Sequence, residues 1–190
     1  KFSALVTAGP TREYIDPVRY LSNNSSGKQG YEIAKALKNF GIKTTLITGP
    51  TNIEYKKDLK IIKTISGRDM LSAVKKNMPV DIVICTAAVA DFYPVTLLNS
   101  KIKKDNKNEF NFRLKKNPDI LEFLGKSNKY RPKVIVGFSA ETENIIKNSK
   151  EKLRKKRCDL IVANDVSRSD IGFNVDYNEV DLIFSSGEKE

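Results

Sequence analysis

Short apolar runs rich in β-branched residues recur along the chain. Six of them fall at residues 2–7, 43–48, 59–65, 81–87, 133–139 and 159–164. Short, continuously apolar runs are typical of strands in a parallel sheet that is covered on both faces. The tail EVDLIFSSGEKE, residues 179–190, predicts one last strand followed by a frayed end.

Segments with helical spacing lie between these runs. In residues 30–41, GYEIAKALKNFG, the side chains of Ile33, Ala34, Leu37 and Phe40 fall on one stripe, and Gly41 provides a stop. The pattern predicts an amphipathic helix that buries this stripe.

A second helix is predicted at residues 66–77, with Ser66 as its cap and Met70, Leu71 and Val74 buried. The predicted order is then β-α-β-β-α-β-α-β-α-β. Alternation of this kind predicts an α/β fold with a Rossmann-like open, mostly parallel sheet and helices on both faces.

The alternation of strands and helices is interrupted after the fourth strand. In residues 108–115, NEFNFRLK, apolar and polar residues alternate as in an antiparallel strand. Residues 117–126, NPDILEFLGK, predict a helix that begins at Asn117 and Pro118. We interpret residues 92–116, approximately, as an active-site flap inserted in a single domain of residues 1–190. Its segment 101–108 is expected to be poorly ordered without a bound nucleotide.

The residues that are missing limit the possible chemistry. There is no histidine among the 190 residues, which excludes serine–histidine and cysteine–histidine nucleophile pairs, histidine bases and most zinc sites. Cys85 and Cys158 form no CxxC motif and are expected to be ordinary buried or half-buried thiols. No apolar run reaches membrane-spanning length, and a cytoplasmic location is expected. Because the chain starts at Lys1 rather than methionine, we expect a piece of a longer polypeptide.

The positive charge is concentrated in two blocks. The formal net charge is +11, and residues 101–116 and 147–157 carry net +5 and +6 by count. Solvated lysines could explain individual charges, but two isolated blocks favour a polyanionic ligand.

The stretch SNNSSGKQG, residues 22–30, has the composition of a phosphate-binding loop. It is not a common P-loop, because Ser22 replaces the first glycine and Gln29 replaces the hydroxyl residue. Ser25, Ser26 and Gly27 precede the first predicted helix, whose N-terminus would suit a phosphomonoester. Alternatively, Ser26 only caps the helix. The absence of GxGxxG disfavours a dinucleotide.

Six motifs together resemble a known family. TAGPTREYIDPVRYLSNNSSGKQGYEIA, TAAVADFYP, KIKK, KNPDIL, GFSAET and DLIVANDV closely resemble phosphopantothenoylcysteine synthetase of the bacterial type, over nearly all of residues 2–185. The resemblance implies a ligase of coenzyme A biosynthesis that uses CTP and Mg²⁺. It would activate 4′-phosphopantothenate as an acyl-cytidylate and join it to L-cysteine, releasing pyrophosphate and CMP.

The resemblance also assigns roles to residues. Asn23 matches an asparagine that acts in the cysteine step, expected to donate a hydrogen bond to the acyl oxygen, and Lys101 matches a flap lysine that neutralises the CTP phosphates. Ser25, Ser26, Gly27 and Lys28 are expected at the substrate phosphate. The residues that match the nucleotide site are Cys85, Thr86, Ala87, Asp91, Lys101, Pro118, Asp119, Ile120, Leu121, Phe138, Lys152 and Lys156.

Other interpretations stay open for several residues. Asn23 could be a turn residue, Asp91 could orient Mg²⁺ or cap a turn, and Asn164 and Asp165 could be structural turn residues. No metal ligands are assigned.

The family resemblance further implies a homodimer, with residues 16–24 as a candidate contributor to the partner's site, and a possible fused flavin-dependent decarboxylase. No nucleic-acid or membrane partner is expected. Three rival classes are considered: a nucleotide-sugar or NAD(P) enzyme, an RNA-binding domain using Phe110 and Phe112, and a catalytically silent dimerisation domain.

Overall fold

The structure is a computed structural model that describes residues 1–103, 111–165, 167, 178–188 and 190. The described strands are β1 (Ser3–Ala8), β2 (Arg12–Tyr14), β3 (Tyr20–Ser22), β4 (Lys43–Thr48), β5 (Lys60–Lys63), β6 (Ile82–Cys85), β7 (Phe92–Pro94), β8 (Leu114–Lys116), β9 (Val134–Glu141), β10 (Leu160–Asp165) and β11 (Val180–Phe184). The described helices are α1 (Lys28–Asn39), α2 (Gly67–Lys76), α3 (Ile120–Lys126) and α4 (Ile145–Lys156).

Seven of the described strands form one open sheet in the order β11-β10-β9-β6-β1-β4-β5. Every neighbouring pair is parallel except β10 and β11, which are antiparallel. The mostly parallel α/β fold predicted from the apolar runs is therefore confirmed, and the last strand forms where it was predicted. The frayed end predicted after it is wrong, because Glu190 and Leu182 exchange backbone hydrogen bonds of 2.7 and 3.0 Å. Starting from β1, the chain adds β4 and β5 on one side and β6, β9 and β10 on the other.

Helices cover both faces of this sheet. On one face, Tyr31 and Ala34 of α1 pack with Val6 and Leu46. The opposite face holds the larger core, to which α2, α3 and α4 contribute. Its fully buried members include Leu5, Ile47, Met70, Val74, Val83, Leu124, Ile135 and Ile161. Adjacent residues of one strand, such as Leu5 and Val6, enter opposite cores because strand side chains alternate between faces.

Helix α1 corrects one sequence prediction. Ala34 is buried, and Ile33 and Leu37 are half-buried, as the apolar stripe requires. Phe40 was expected on the same stripe, but its side chain is 85% exposed. The helix ends at Asn39 and the chain turns at Gly41 with φ of 78°, so Phe40 lies beyond the last helical turn and leaves the stripe.

Helix α2 begins as predicted. The Ser66 hydroxyl accepts a hydrogen bond from the Asp69 amide at 3.1 Å, and the Asp69 carboxylate accepts one from the Ser66 amide at 3.0 Å, forming a capping box. Met70 and Val74 are buried, whereas Leu71 is only half-buried.

Helix α3 has a different cap from the one predicted. Asn117 and Pro118 were expected to begin the helix, but its N-cap is Asp119, whose carboxylate accepts from the Glu122 amide at 2.8 Å. Asn117 is buried and its side chain bonds to the carbonyl of Ala90 instead. The prediction was wrong because an asparagine before a proline fits a cap equally well in one dimension.

Two short hairpins stand above the carboxyl ends of the central strands. Strand β2 pairs with β3, and β7 pairs with β8, both antiparallel. Strand β8 falls within the predicted antiparallel segment 108–115 and extends to Lys116. Three-residue strands carry too little periodicity to be read from a sequence, so β2, β3 and β7 were not predicted.

The predicted flap of about residues 92–116 is described in part. Strands β7 and β8 belong to it, whereas residues 104–110, with Phe110 and most of the segment 101–108, lie outside the described residues. Over the ranges that are described, no helix has both the length and the apolar character needed to cross a bilayer.

Candidate functional site

A cleft of about 1380 Å³ opens above the carboxyl ends of the central strands. Its floor includes Thr7 of β1, Cys85 of β6, Phe138 and Ser139 of β9, and Asn164 of β10. The chain order reverses between β1 and β6, and ligands of doubly wound sheets bind at such a reversal. Ser25, Cys85 and Phe138, which were expected at the substrate phosphate and the nucleotide, all line this cleft.

The N-terminus of α1 forms one wall of the cleft. Ser25, Ser26, Gly27 and Lys28 all line it. Gly27 is the N-cap residue, adopts a left-handed conformation with φ of 78°, and offers no side chain to the helix. The first turn, which is described completely, contains no acidic residue. The positive end of the helix dipole therefore faces the cleft, where an anion is stabilised.

A glycine in this helix sets how closely α1 approaches the sheet. A Cβ atom built on Gly30 would lie 2.3 Å from the Thr86 hydroxyl and 2.5 Å from Cβ of Ala8. Any larger residue would push the helix away from the strand ends. Gly30 therefore keeps the α1 N-terminus directly beside the end of β6.

Asn23 lies between α1 and the segment that follows β6. Its Nδ2 atom donates to the carbonyl oxygens of Ala88 at 3.2 Å and Val89 at 3.1 Å. Both amide hydrogens are thus engaged, and the orientation of the carboxamide is fixed with Oδ1 as the remaining acceptor. A donation from Asn23 to an acyl oxygen, as expected from the resemblance, requires Nδ2 to leave one of these carbonyls.

The end of β6 contributes Cys85, Thr86 and Ala87 to the cleft. The Thr86 hydroxyl donates to the Thr7 carbonyl at 2.7 Å and so joins the two central strands. Burial raises the pKa of the Cys85 thiol to about 12, so this thiol stays protonated at neutral pH and is a poor nucleophile. Asp91 also lines the cleft and is exposed to it.

A buried asparagine fastens the segment between Ala87 and Asp91. Asn117 donates from Nδ2 to the Ala90 carbonyl at 2.8 Å, and its backbone amide donates to the Asp91 carbonyl at 2.7 Å. Asn23 and Asn117 therefore hold consecutive carbonyls of one short segment from two sides. Pro118, Asp119, Ile120 and Leu121 follow and line the cleft above β9.

Lys152 brings a desolvated cation to the opposite wall. Its Nζ atom donates to the Phe138 carbonyl at 2.8 Å, and both residues line the cleft. Burial lowers the pKa of Lys152, while the nearby carboxylates of Glu141 and Asp119 act in the other direction. A cation with little solvation binds a phosphate more strongly than an exposed lysine does.

Lys156, one turn further along α4, is not among the cleft-lining residues. Its Nζ atom contacts the carboxylates of Asp119 at 2.8 Å and Glu122 at 2.6 Å. Burial lowers the pKa of Lys156, but the hydrogen bonds and negative charges of these two carboxylates together outweigh it, so the pKa is raised. Its predicted contact with CTP stays a prediction.

Lys101 is exposed and likewise does not line the cleft in this conformation. Its neighbour Ile102 is bound through its backbone amide to the carboxylate of Asp16, at 3.1 Å. The structure thus places Lys101 beside the loop that connects β2 and β3, and its predicted role at the CTP phosphates stays a prediction.

Three side chains in this region were not predicted as functional. Asn117 and Asn164 line the cleft, and each has a buried carboxamide oxygen with no hydrogen-bond partner among the described residues, an arrangement that costs about 1–3 kcal/mol per group. Asp16 was predicted only as a member of segment 16–24, a candidate contributor to the partner's site, and had no role of its own. Asn164 ends a strand that the sequence did predict, so the rule on strand ends could have identified it.

The chain matches, over residues 1–190, the family described as DNA/pantothenate metabolism flavoprotein, C-terminal domain. It belongs to this family.

Named relatives agree with the family. The chain is 43% identical over 189 residues to the coenzyme A biosynthesis bifunctional protein CoaBC of Vibrio vulnificus strain CMCP6, covering 98% of this chain and 47% of that protein. With the protein of the same name from Bacillus subtilis strain 168 it shares 44% identity over 187 residues, covering 97% and 45%. The chain therefore spans about half the length of these relatives.

Solved structures share the fold. A crystal structure of the C-terminal domain of the bifunctional protein CoaBC superposes with a TM-score of 0.81 at 37% identity, covering 100% of this chain and 84% of that one. A Cab2 mutant in complex with phosphopantothenate-cysteine superposes with a TM-score of 0.75, covering 100% of this chain and 79% of that one. At 16% identity, this second likeness concerns the fold alone.

Proposed function

We propose that this domain is a phosphopantothenate–cysteine ligase that uses CTP. The observation that carries the proposal is the cleft itself, in a chain 43% identical over nearly its full length to a coenzyme A biosynthesis protein. The cleft brings together the N-terminus of α1, the desolvated Lys152, and two asparagines, Asn23 and Asn117, that bind the same backbone segment. This set suits anionic phosphates and an acyl group better than proton transfer.

The two ends of the cleft suit two different phosphates. At the α1 end, the amides after Gly27 and the side chains of Ser25 and Ser26 would bind the phosphomonoester of 4′-phosphopantothenate. At the α4 end, Lys152 would bind the triphosphate of CTP, and the segment of residues 118–121 with Phe138 would surround the nucleotide. Lys156 is paired with the carboxylates of Asp119 and Glu122, so it would contribute less positive charge to the triphosphate than Lys152.

In the first step, a carboxylate oxygen of phosphopantothenate attacks the α-phosphorus of CTP. One P–O bond forms, the bond to the β-phosphate breaks, and pyrophosphate leaves with the electron pair. The barrier is mainly repulsion between anions, so positioned cations such as Lys101 and Lys152 are the groups that lower it. No histidine is needed, which agrees with its absence from the sequence.

In the second step, the cysteine amine attacks the acyl carbon of the acyl-cytidylate. The C–N bond forms, the C–O bond to the cytidylate breaks, and CMP leaves as the amide nitrogen loses its proton. Asn23 lines the cleft and donates to the carbonyls of Ala88 and Val89 at its wall, which supports a role for its carboxamide in this step. It would donate a hydrogen bond from its side-chain N–H to the oxyanion that develops in this step.

Mg²⁺ would enter this cleft together with the nucleotide. Within the described ranges, no three His, Cys, Asp or Glu residues cluster so that they could hold a metal ion. Mg²⁺ is commonly bound by one or two carboxylates together with substrate phosphates, and it neutralises phosphate charge. Asp91 and Asp119, which line the cleft, are the carboxylates that would face it.

The domain would act as a homodimer, and a second catalytic domain would lie in the same polypeptide. The hairpins β2–β3 and β7–β8 lie against each other and expose apolar side chains, among them Val18 and Phe92 at 58% and 50%. Neighbouring exposed apolar side chains of this kind favour a protein interface. A flavin-dependent decarboxylase in the remaining half of the polypeptide would supply the next reaction.

The proposal is tested by an omission experiment. The purified protein is incubated with CTP, 4′-phosphopantothenate, L-cysteine and Mg²⁺, and pyrophosphate and the amide product are followed. Pyrophosphate should form without cysteine in an amount near one per site, and continuous turnover should require cysteine. No pyrophosphate with any nucleoside triphosphate would reject the proposal, and a preference for ATP would correct the nucleotide.

A further inference from the structure

Asp16 is a fully buried carboxylate at the start of the loop between β2 and β3. It accepts hydrogen bonds from the amides of Val18 at 2.7 Å and Arg19 at 2.8 Å, from the Arg19 guanidinium, and from the amide of Ile102 at 3.1 Å. A charge removed from water needs such a complete set of donors. Three donors come from the loop itself, and the fourth comes from a segment 86 residues further along the chain.

The two oxygens of Asp16 have different partners. Oδ1 accepts from the amides of Val18 and Arg19 and so shapes its own loop. Oδ2 accepts from the Arg19 guanidinium and from Ile102. One oxygen therefore makes the turn, and the other binds the base of the flap.

We propose that Asp16 is a positioning residue that holds the backbone next to Lys101 and thereby places this lysine for the first half-reaction. The inference rests on the proposed function, because it takes the role of Lys101 from there. Lys101 and Ile102 are neighbours in the chain, so fixing the Ile102 amide restricts where the preceding side chain can reach.

Two further contacts dock the same segment on the loop. The Leu98 amide donates to the Ile15 carbonyl at 3.0 Å, and the Arg19 guanidinium lies 3.4 Å from the Ile102 carbonyl. These contacts hold residues 98–102 at both ends. Among these contacts, the hydrogen bond donated by the Ile102 amide lies nearest to Lys101, and its acceptor is the charged, buried carboxylate of Asp16.

The same loop also leads to Asn23. Arg19 is followed by β3, and the Ser22 hydroxyl donates to the Thr11 carbonyl at 2.8 Å, which fixes the end of that strand. Asn23 comes next. Asp16 thus lies at the junction of two segments, one holding Asn23 and the other Lys101.

Asp16 stays ionised over the whole physiological range. Burial alone raises the pKa of its carboxyl group, but the hydrogen bonds from Ile102, Val18 and Arg19 lower it to about 2. The contact with Ile102 is therefore a charge-assisted hydrogen bond, which is stronger than one between neutral groups.

The isosteric variant Asp16→Asn separates the two oxygens. An asparagine can keep an oxygen toward the amides of Val18 and Arg19, but it then places an NH₂ group opposite the donors of Arg19 and Ile102. Pyrophosphate release in a single turnover without cysteine should slow tenfold or more. In a Lys101→Gln background, the same substitution should slow release less than twofold further, because the positioned group is already gone.

Asp81→Asn is the matched control. The Asp81 carboxylate also accepts from a backbone amide, that of Ser3 at 2.9 Å, and from a cation, Lys133 at 2.8 Å, but it precedes β6 at the opposite end of the sheet. This variant should change the melting temperature without changing pyrophosphate release more than twofold. Equal slowing by Asp16→Asn in both backgrounds, or none in the wild type, overturns the proposal.

Amide hydrogen exchange provides a readout that does not depend on catalysis or on a folded variant. In the wild-type protein without ligands, the Ile102 amide should exchange at least tenfold more slowly than its random-coil rate. An unprotected Ile102 amide overturns the proposal even if Asp16→Asn does not fold. A protected amide in a protein that never releases pyrophosphate would instead reject the proposed function and leave the contact intact.

Discussion

The Nζ atom of Lys152 lies 2.8 Å from the carbonyl oxygen of Phe138. This contact carries a cation from α4 to the end of β9, where it lines the cleft. Because burial lowers the pKa of Lys152, the unliganded protein is destabilised by having this charge there, and an anion would relieve the cost. A half-buried cation whose charge is disfavoured, placed in a cleft, indicates a function in binding rather than in stability.

Replacing Lys152 should weaken nucleotide binding without lowering the stability of the unliganded protein. Lys152→Met keeps the aliphatic stem and removes the charge. Loss of a charged hydrogen bond to phosphate costs about 1.5–3 kcal/mol, so KM for CTP should rise roughly 10- to 100-fold. The melting temperature without ligand should stay the same or rise. Lys155→Met, an exposed neighbour on α4, is the control and should change neither value.

Substitutions of Lys101 and Asn23 should fail at different steps. Lys101→Gln removes a cation from the phosphates, so acyl-cytidylate formation should slow by roughly a hundredfold or more, the scale of one lost electrostatic stabiliser. Asn23→Asp removes the donor and adds a negative charge beside the oxyanion, so the cysteine step should fail instead. Rapid quenching and separation of nucleotides distinguishes the two steps.

The expected products of that experiment differ clearly. Lys101→Gln should release little pyrophosphate, whereas Asn23→Asp should release about one equivalent per site and accumulate the acyl-cytidylate. A normal rate of product formation by Asn23→Asp would mean that Asn23 only holds the carbonyls of Ala88 and Val89. A control is Asn24→Asp, which changes the neighbouring cleft residue in the same way.

The contribution of Asp16 to stability should disappear in acid. Its pKa is lowered from the ordinary value of 3.8 to about 2 in the folded protein. A lowered carboxyl pKa stabilises the fold fully above the unfolded pKa, and this stabilisation is lost as pH falls through the folded pKa. Urea unfolding at several pH values should therefore show a gap between wild type and Asp16→Asn that is largest above pH 4 and shrinks toward pH 2. A gap independent of pH would contradict this assignment.

Association of two copies should depend on the hairpin surface. Val18→Asp places a charge on the exposed apolar patch of the β2–β3 hairpin and should shift a dimer toward monomer at micromolar concentration, as measured by light scattering. Phe40→Asp, a distant and even more exposed apolar residue, should leave the dimer unchanged. A wild-type protein that is monomeric and fully active under these conditions would rule out the dimer.

Much of the sheet could be predicted because most of its strands are short, mainly apolar runs rich in β-branched residues and bounded by turn residues, which favour buried strands over helices. The position of the cleft followed from the topology, since small and polar residues at the ends of β1 and β6 had to meet. The contacts within the cleft could not be predicted. Asn117, for example, reaches Ala90 across 27 residues, and a one-dimensional pattern contains no information on which carbonyl it binds.

The remaining contacts that could not be predicted involve irregular segments and pairs of charged side chains. The bond between Asp16 and Ile102 joins residues from two irregular segments, neither of which has periodicity. The spacing predicts correctly that Lys156 shares a face of α4 with Lys152. Its carboxylate partners, however, are Glu122 of α3 and Asp119, the N-cap of that helix. Sequence spacing gives the face of a helix but not what packs against it.

The central claim is tested most directly by following carboxylate oxygen. 4′-Phosphopantothenate with both carboxyl oxygens labelled with ¹⁸O is converted with CTP and cysteine, and the products are analysed by mass spectrometry. If the carboxylate attacks the α-phosphorus of CTP, one labelled oxygen appears in CMP, one stays in the amide, and pyrophosphate carries none. Label in inorganic phosphate or pyrophosphate, or CMP without label, would contradict an acyl-cytidylate intermediate.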